Sequence, residues 1–262
     1  MIRMYSFISK IFARLPEGIV KDHMRRMYWK RRLNLLKSYS TIKPGLVFIL
    51  LNNGLKFVGD RSILGMLYDQ CIKNIYTKYF KPKYDSIIID AGAHQGTFTV
   101  LMAASIRDGC IIAIEPYKRN RLFLEKNLKI NHLENVKVIP KGLWSSAGRI
   151  TFYIYSDSAS HSAFKQNQRI LKSLDIDVDT LDNIVEREKI KRVDFIKMNI
   201  EGAEIEALKG ARKTLMSNPV ELVIDAHHVV GGRPTYQRVI QMLEELGYIC
   251  KGKSLVYAFP KR

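Results

Sequence analysis

Cysteine is scarce in this chain. Cys71, Cys110 and Cys250 are too far apart for a metal-ligand spacing or a disulfide framework. That usage suits a reducing compartment, and Cys110 and Cys250 lie in apolar runs that read as core. Long apolar stretches are missing too: none approaches the ~20 residues needed to span a bilayer. The start of the chain has neither an adequate apolar h-region nor the small-residue cleavage site of a secretory signal. No internal repeat or low-complexity tract stands out. The location these absences suggest is cytoplasmic. Acidic residues are also in short supply, 25 against 43 Lys and Arg, for a net charge of +18.

The excess of positive charge is uneven. Residues 1–83 hold 17 Lys/Arg and 4 Asp/Glu, a net of +13, whereas the other 179 residues hold 26 and 21, a net of +5. This contrast predicts a basic, mainly helical N-terminal extension over residues 1–83 and a nearly balanced domain over residues 84–262, a length that accommodates one α/β domain. Met4, Ile8, Ile11, Phe12 and Leu15 fall on one helical face, with Lys10 and Arg14 off it, until Pro16 and Gly18 break the pattern. A second basic segment, residues 21–37, carries Met24, Met27, Trp29, Leu33 and Leu36. Residues 1–43, with 11 Lys/Arg against 2 Asp/Glu, are expected to form helices. Three uses of this front stay open: an interfacial helix on an anionic membrane, phosphate contacts to nucleic acid, or a cap that packs on protein with its charges solvated.

Residues 86–99, Ser-Ile-Ile-Ile-Asp-Ala-Gly-Ala-His-Gln-Gly-Thr-Phe-Thr, are the most informative stretch. Ile87, Ile88 and Ile89 read as a buried strand ending in Asp90. Gly92 and Gly96 follow, and an apolar helix pattern starts at Phe98. Strand, tight turn and helix N-terminus let a ligand approach the backbone closely. The spacing is D-x-G-x-x-x-G, not the G-x-G-x-x-G of dinucleotide loops. A second apolar run from Cys110 ends at Glu115, 19 residues beyond Gly96. A carboxylate at that strand tip can accept from both hydroxyls of a ribose. Taken singly, Asp90 also suits a helix N-cap and Glu115 a solvated strand end. Their order and spacing favour a nucleoside-binding edge, with His94 as a neighbour of the bound group. A helix over residues 120–130 and a strand over 136–139 continue the alternation, which argues a parallel sheet with helices on both faces.

The second half carries the more specific signal. Asp90-Ala-Gly-Ala-His-Gln-Gly96, Glu115-Pro116, Thr180-Leu181-Asp182, the run from Lys197 to Glu204 with its Glu201-Gly-Ala-Glu204, and Asp225-Ala-His227 together resemble the FkbM family of S-adenosylmethionine-dependent methyltransferases. The resemblance covers roughly residues 55–260. It implies a Rossmann-like class I methyltransferase fold, with a seven-stranded, mostly parallel sheet of order 3-2-1-4-5-7-6. The last two strands would form an antiparallel hairpin over residues 248–250 and 255–259. It implies S-adenosylmethionine as cofactor, held by Asp90, Gly92, His94, Gly96 and Glu115. It also implies O-methylation of a sugar or other small-molecule hydroxyl, which on a lipid-linked glycan would suit a basic front that touches a membrane.

Asn199 departs from the pattern, which has an aspartate there. An amide is neither a base nor a strong ligand for a hard cation, so no metal requirement is expected. His227, Glu201 and Asp225 remain as catalytic candidates. His227 has a near-neutral intrinsic pKa, and Asp225 on the same strand face is placed to orient it. Glu201 and Glu204 would alternatively supply negative charge to a helix N-terminus. Asn199-Ile-Glu-Gly202 lacks the prolines and aromatic residue that floor a flat base, which weighs against the alternative of nucleic-acid methylation. A non-catalytic cofactor-binding relative is the other alternative.

Overall fold

The computed structural model describes residues 36–43, 45–155, 161–165 and 169–261. The chain divides after Lys73 into two compact units, somewhat before the boundary that the charge distribution suggests.

In the first unit, β1 (Leu36–Lys43), β2 (Leu46–Leu51) and β3 (Lys56–Asp60) form an antiparallel sheet in chain order, and α1 (Ser62–Cys71) follows. The expectation of a mainly helical extension is therefore corrected over residues 36–60. Val47, Ile49 and Leu51 alternate into the interior, and Asn52-Asn53-Gly54, with Gly54 at φ 89°, turns the chain into β3. Period-two burial and a glycine turn make a hairpin, whatever the charge around them. The amphipathic face expected over residues 4–15, and nearly all of the second basic segment, lie outside the described residues.

The second unit is built on a seven-stranded sheet. Its strands are β4 (Ile87–Ala91), β5 (Cys110–Ile114), β6 (Val136–Ile139), β10 (Phe195–Met198), β11 (Glu221–Asp225), β14 (Tyr248–Lys251) and β15 (Leu255–Pro260). Between them come α2 (Thr97–Ala103), α3 (Lys118–Ile130), α4 (Leu181–Arg187), α5 (Glu204–Lys209), α6 (Arg212–Ser217) and α7 (Thr235–Glu245). The order β6-β5-β4-β10-β11-β15-β14 is the expected 3-2-1-4-5-7-6. The sheet is mixed: β15 runs antiparallel to both of its neighbours, whereas the other four pairings are parallel. The C-terminal hairpin stands where the sequence places it.

Alternation along the strands makes two cores. Ile89, Ile112, Ile196, Leu222 and Ile224 face a layer with Leu181, Ala207, Leu215, Val239 and Leu243 from α4 to α7. Ile88, Ile111, Phe195 and Val223 face Phe98 of α2 with Tyr76 and Phe80. Each fully buried isoleucine or leucine contributes about 1.5–3 kcal/mol relative to exposure. A smaller sheet, β7-β9-β8, is formed by β7 (Gly142–Leu143), β8 (Gly148–Tyr155) and β9 (Ile170–Asp179). A two-residue ladder of β12 (Val229–Val230) and β13 (Arg233–Pro234) closes over Gly231 and Gly232, both at positive φ.

Candidate active site

The strand order reverses across β4, which opens a crevice at the carboxyl ends of β4 and β10. The β4–α2 loop lines it. Gly92 and Ala93 donate their N–H groups to the Ile114 carbonyl at 2.9 and 3.1 Å. Gly92 has φ 76°, and a Cβ there would lie 1.9 Å from the Asn199 carbonyl oxygen, so the loop rests directly on the end of β10. Gly96, at φ 83°, opens α2 against Leu124, where a Cβ would stand 2.5 Å from Cδ1. Only glycine meets both demands at each position.

Glu115 sits at the tip of β5 and is 5% exposed. One carboxylate oxygen accepts from the His94 backbone N–H and the other from the Tyr117 N–H, both at 2.9 Å. The oxygen that Tyr117 reaches, Oε1, also accepts from Asn120 Nδ2 at 3.4 Å, whereas Oε2 keeps a second lone pair, so the strand tip retains acceptor capacity for a ribose hydroxyl. His94, at φ 53°, thus enters the site through its backbone.

Asp90 is placed differently from a ligand-facing carboxylate. It is fully buried, with Oδ1 2.9 Å from Lys197 Nζ and Oδ2 accepting from Thr99 Oγ1 at 2.6 Å. Lys197 Nζ also donates to the Gly92 carbonyl at 2.8 Å. Asp90 therefore acts on the loop through Lys197, because a buried carboxylate needs a charge partner more than a ligand. The two residues are direct register partners across β10 and β4. A lysine between Ile196 and Met198 in a strand buried along its length signals a buried charge that needs a partner, without naming Asp90 as that partner.

The expected acid and base residues come together beyond β10 and β11. The side chain of Asp225, the last residue of β11, meets His227 Nδ1 at 2.6 Å. That hydrogen bond raises the His227 pKa above its ordinary 6.5, against the opposing effects of burial and of the neighbouring His228 charge. The two imidazole rings lie 4.0 Å apart. His228, unassigned from sequence, is the more deeply held. Its Nε2 is 3.2 Å from Glu201 Oε2 and its Nδ1 is 3.2 Å from Glu204 Oε1. Burial disfavours its charge, but the two carboxylates outweigh that and push its pKa up to about 10.

Glu201 adopts φ 55°, a strained choice for a residue with a side chain, and its carbonyl accepts from Ser162 Oγ at 2.5 Å. Glu204, fully buried, accepts from the Gly202 N–H at 3.0 Å. Asn199 donates to the Tyr76 hydroxyl oxygen at 3.3 Å, and its buried Oδ1 has no partner among the described residues. An orphaned buried acceptor at a strand tip is suited to a donor that arrives with a ligand.

The Thr180-Leu181-Asp182 motif is structural. Thr180 caps α4 by accepting from the Asn183 N–H, Leu181 is core, and Asp182 accepts from the N–H groups of Lys213 and Thr214 at the start of α6. Among the described residues, no group of three or more His, Cys, Asp or Glu side chains is placed to hold a metal ion.

This sheet order, with a glycine loop on the first strand and a carboxylate on the second, defines the class I S-adenosylmethionine-dependent methyltransferases. Residues 90–250 match the methyltransferase FkbM domain, and the chain belongs to that family, whose cofactor is S-adenosylmethionine. It is 28% identical to Methyltransferase 1 of Beauveria bassiana over 48% of this chain and 58% of that protein. It is 24% identical to Methyltransferase sdnD of Sordaria araneosa over 62% of this chain and 73% of that protein. Among solved structures, a methyltransferase FkbM from Methylobacillus flagellatus aligns with a TM-score of 0.50 at 20% identity, covering 76% of this chain and 53% of that one. The chain thus spans little more than half the length of that structure and of the Beauveria relative.

Proposed function

We propose that this protein transfers the methyl group of S-adenosylmethionine to a hydroxyl of a sugar or other small molecule. The observation that carries this reading is the Asp225–His227 pair after β11, at the same carboxyl edge of the parallel strands as the glycine loop after β4 and Glu115 after β5. The cofactor, when bound, supplies an activated methyl on a sulfonium. The chain's own residues do the rest. Gly92 and Gly96 let the loop seat against the end of β10 and against Leu124 of α3 and so set the path of the backbone that faces a bound group, and Glu115 accepts from the ribose hydroxyls. His227 takes the acceptor's proton, and Asp225 holds the imbalance of charge that results. His228, held between Glu201 and Glu204, fixes the strained turn beside it. Alignment of acceptor and donor supplies much of the rate.

Calorimetry with S-adenosylhomocysteine tests the cofactor side. Glu115→Ala is expected to weaken binding by about 1.5–3 kcal/mol, or about 10- to 150-fold, because hydrogen bonds to a charged group are lost. Equal affinity in a folded variant would take Glu115 out of the site.

A lipid-linked acceptor would give the basic front a use. No helix among the described residues is long and apolar enough to cross a membrane. Peripheral contact through residues 1–43 predicts binding to anionic vesicles that weakens with salt. Deleting residues 1–35, which leaves β1 in place, should abolish it and leave S-adenosylhomocysteine affinity intact. Vesicle binding that survives the deletion would rule this out.

A further inference from the structure

A second cavity, of about 220 Å³, lies between the first turn of α3 and the small sheet. It is lined by Tyr117, Arg119, Ile154, Tyr155, His161, Leu171 and Lys172. Its floor is aromatic and apolar. Tyr117 meets His161 edge-on at 5.0 Å, and the His161 Nδ1 accepts from the Tyr155 N–H at 3.3 Å. The charged residues among its described lining, Arg119 and Lys172, are both cations. Lys172 Nζ stands 5.9 Å over the Tyr117 ring. Among the described residues, neither Arg119 nor Lys172 has a carboxylate within ion-pair reach. Among the described residues, none that lines the cavity is acidic. Glu115, two residues before Tyr117, already holds two backbone N–H groups, and Asp177 pairs with Arg149. The segment at the start of α3, residues 117–121, carries Lys118, Arg119 and Arg121 and no acid.

Two unpaired cations beside an aromatic floor suit a ligand that pairs an oxyanion with an apolar or ring-shaped body. The volume falls below the ~300 Å³ lower end for whole-ligand pockets, which fits one end of a molecule. The chain links this cavity to the catalytic edge on both sides. Tyr117 follows Glu115 by two residues and donates to its carboxylate, and Ser162, next to His161, donates to the Glu201 carbonyl. We propose that the cavity is the subsite for an oxyanion, phosphate or carboxylate, carried by the methyl acceptor. The acceptor class narrows to hydroxyl compounds that bear such a group. This assignment of the ligand as acceptor rests on the methyl-transfer reading; the oxyanion site itself does not.

The test titrates the full chain with phenyl phosphate, benzoate and phenol, with S-adenosylhomocysteine in a parallel titration. Phenyl phosphate or benzoate should bind and phenol should not, and the affinity should fall with rising salt. The double variant Arg119→Gln/Lys172→Gln, whose residues are exposed, should lose at least tenfold in that affinity while binding S-adenosylhomocysteine as before. Phenol binding as tightly as phenyl phosphate, or an unchanged affinity in the double variant, would overturn the subsite. Failure of S-adenosylhomocysteine to bind, with phenyl phosphate still bound, would overturn the methyl-transfer reading and leave the oxyanion site standing. Competition by phosphatidylglycerol vesicles assigns the oxyanion to a lipid headgroup, and its absence assigns it to a soluble acceptor.

Discussion

Replacing His227 with alanine is expected to lower methyl transfer about 10²- to 10⁴-fold, the usual contribution of a positioned general base, with S-adenosylhomocysteine affinity unchanged. The reasoning starts from the 2.6 Å contact to Asp225, which fixes the ring and raises its pKa. A base must be neutral to accept a proton. The rate should therefore fall as pH drops through the raised His227 pKa, and the acid limb of the pH profile should lie above the 6.5 of a free imidazole. Asp225→Asn removes the group that raises the pKa, so that limb should move to lower pH while the maximal rate also drops. A steady-state pH series on the three proteins decides. Full activity in His227→Ala would reduce the histidine to a surface residue, and an unmoved limb in Asp225→Asn would separate the two residues.

Lys197→Met should be the most destabilising single change at the site. Both members of the Lys197–Asp90 pair are almost wholly out of water, at 5% and 0% exposure. Removing the lysine leaves the Asp90 carboxylate buried with only the Thr99 hydroxyl for support. Breaking such a pair from one side costs about 3–5 kcal/mol, a large part of a domain's stability. The double change Lys197→Met/Asp90→Asn removes the uncompensated charge and should recover much of the loss. Urea unfolding of the single and double variants measures both. A single variant within about 0.5 kcal/mol of the parent, the range of ordinary surface changes, would contradict the account.

What could be read from the sequence follows from how local each cause is. The strands around Ile88, Ile111 and Val223 declare themselves as short apolar runs, because burial on both faces needs no alternation. The two glycines and Glu115 declare themselves by spacing. The sheet at residues 36–60 is legible in Asn53-Gly54 between two apolar runs, whereas the helical faces on which the expectation of helix rests belong to the basic segments before it. Charge says little about a segment whose alternate residues are buried. The β8–β9 hairpin hides similarly in Leu174-Asp-Ile-Asp-Val-Asp179, a period-two pattern that composition reads as an acidic stretch. The part that no local pattern contains is the pairing of His228 with Glu201 and Glu204. It depends on how a short helix after β10 meets the loop after β11, across more than twenty residues of chain. The sequence shows two adjacent histidines and gives no reason for one to be buried. The same holds for Asp90: its partner is visible only once β10 is known to lie beside β4.

The seating of Gly92 on the Asn199 carbonyl has a consequence for how a ligand arrives. The loop is fixed by two N–H bonds to one carbonyl of β5 and by direct backbone contact with β10. Its ordering entropy is lost once, as the chain folds, and not again at each encounter. Such a rim behaves as a rigid receptor. Capture at this edge is then limited by orientation during diffusion rather than by a closing step, and changes in affinity there will show in the residence time of the ligand.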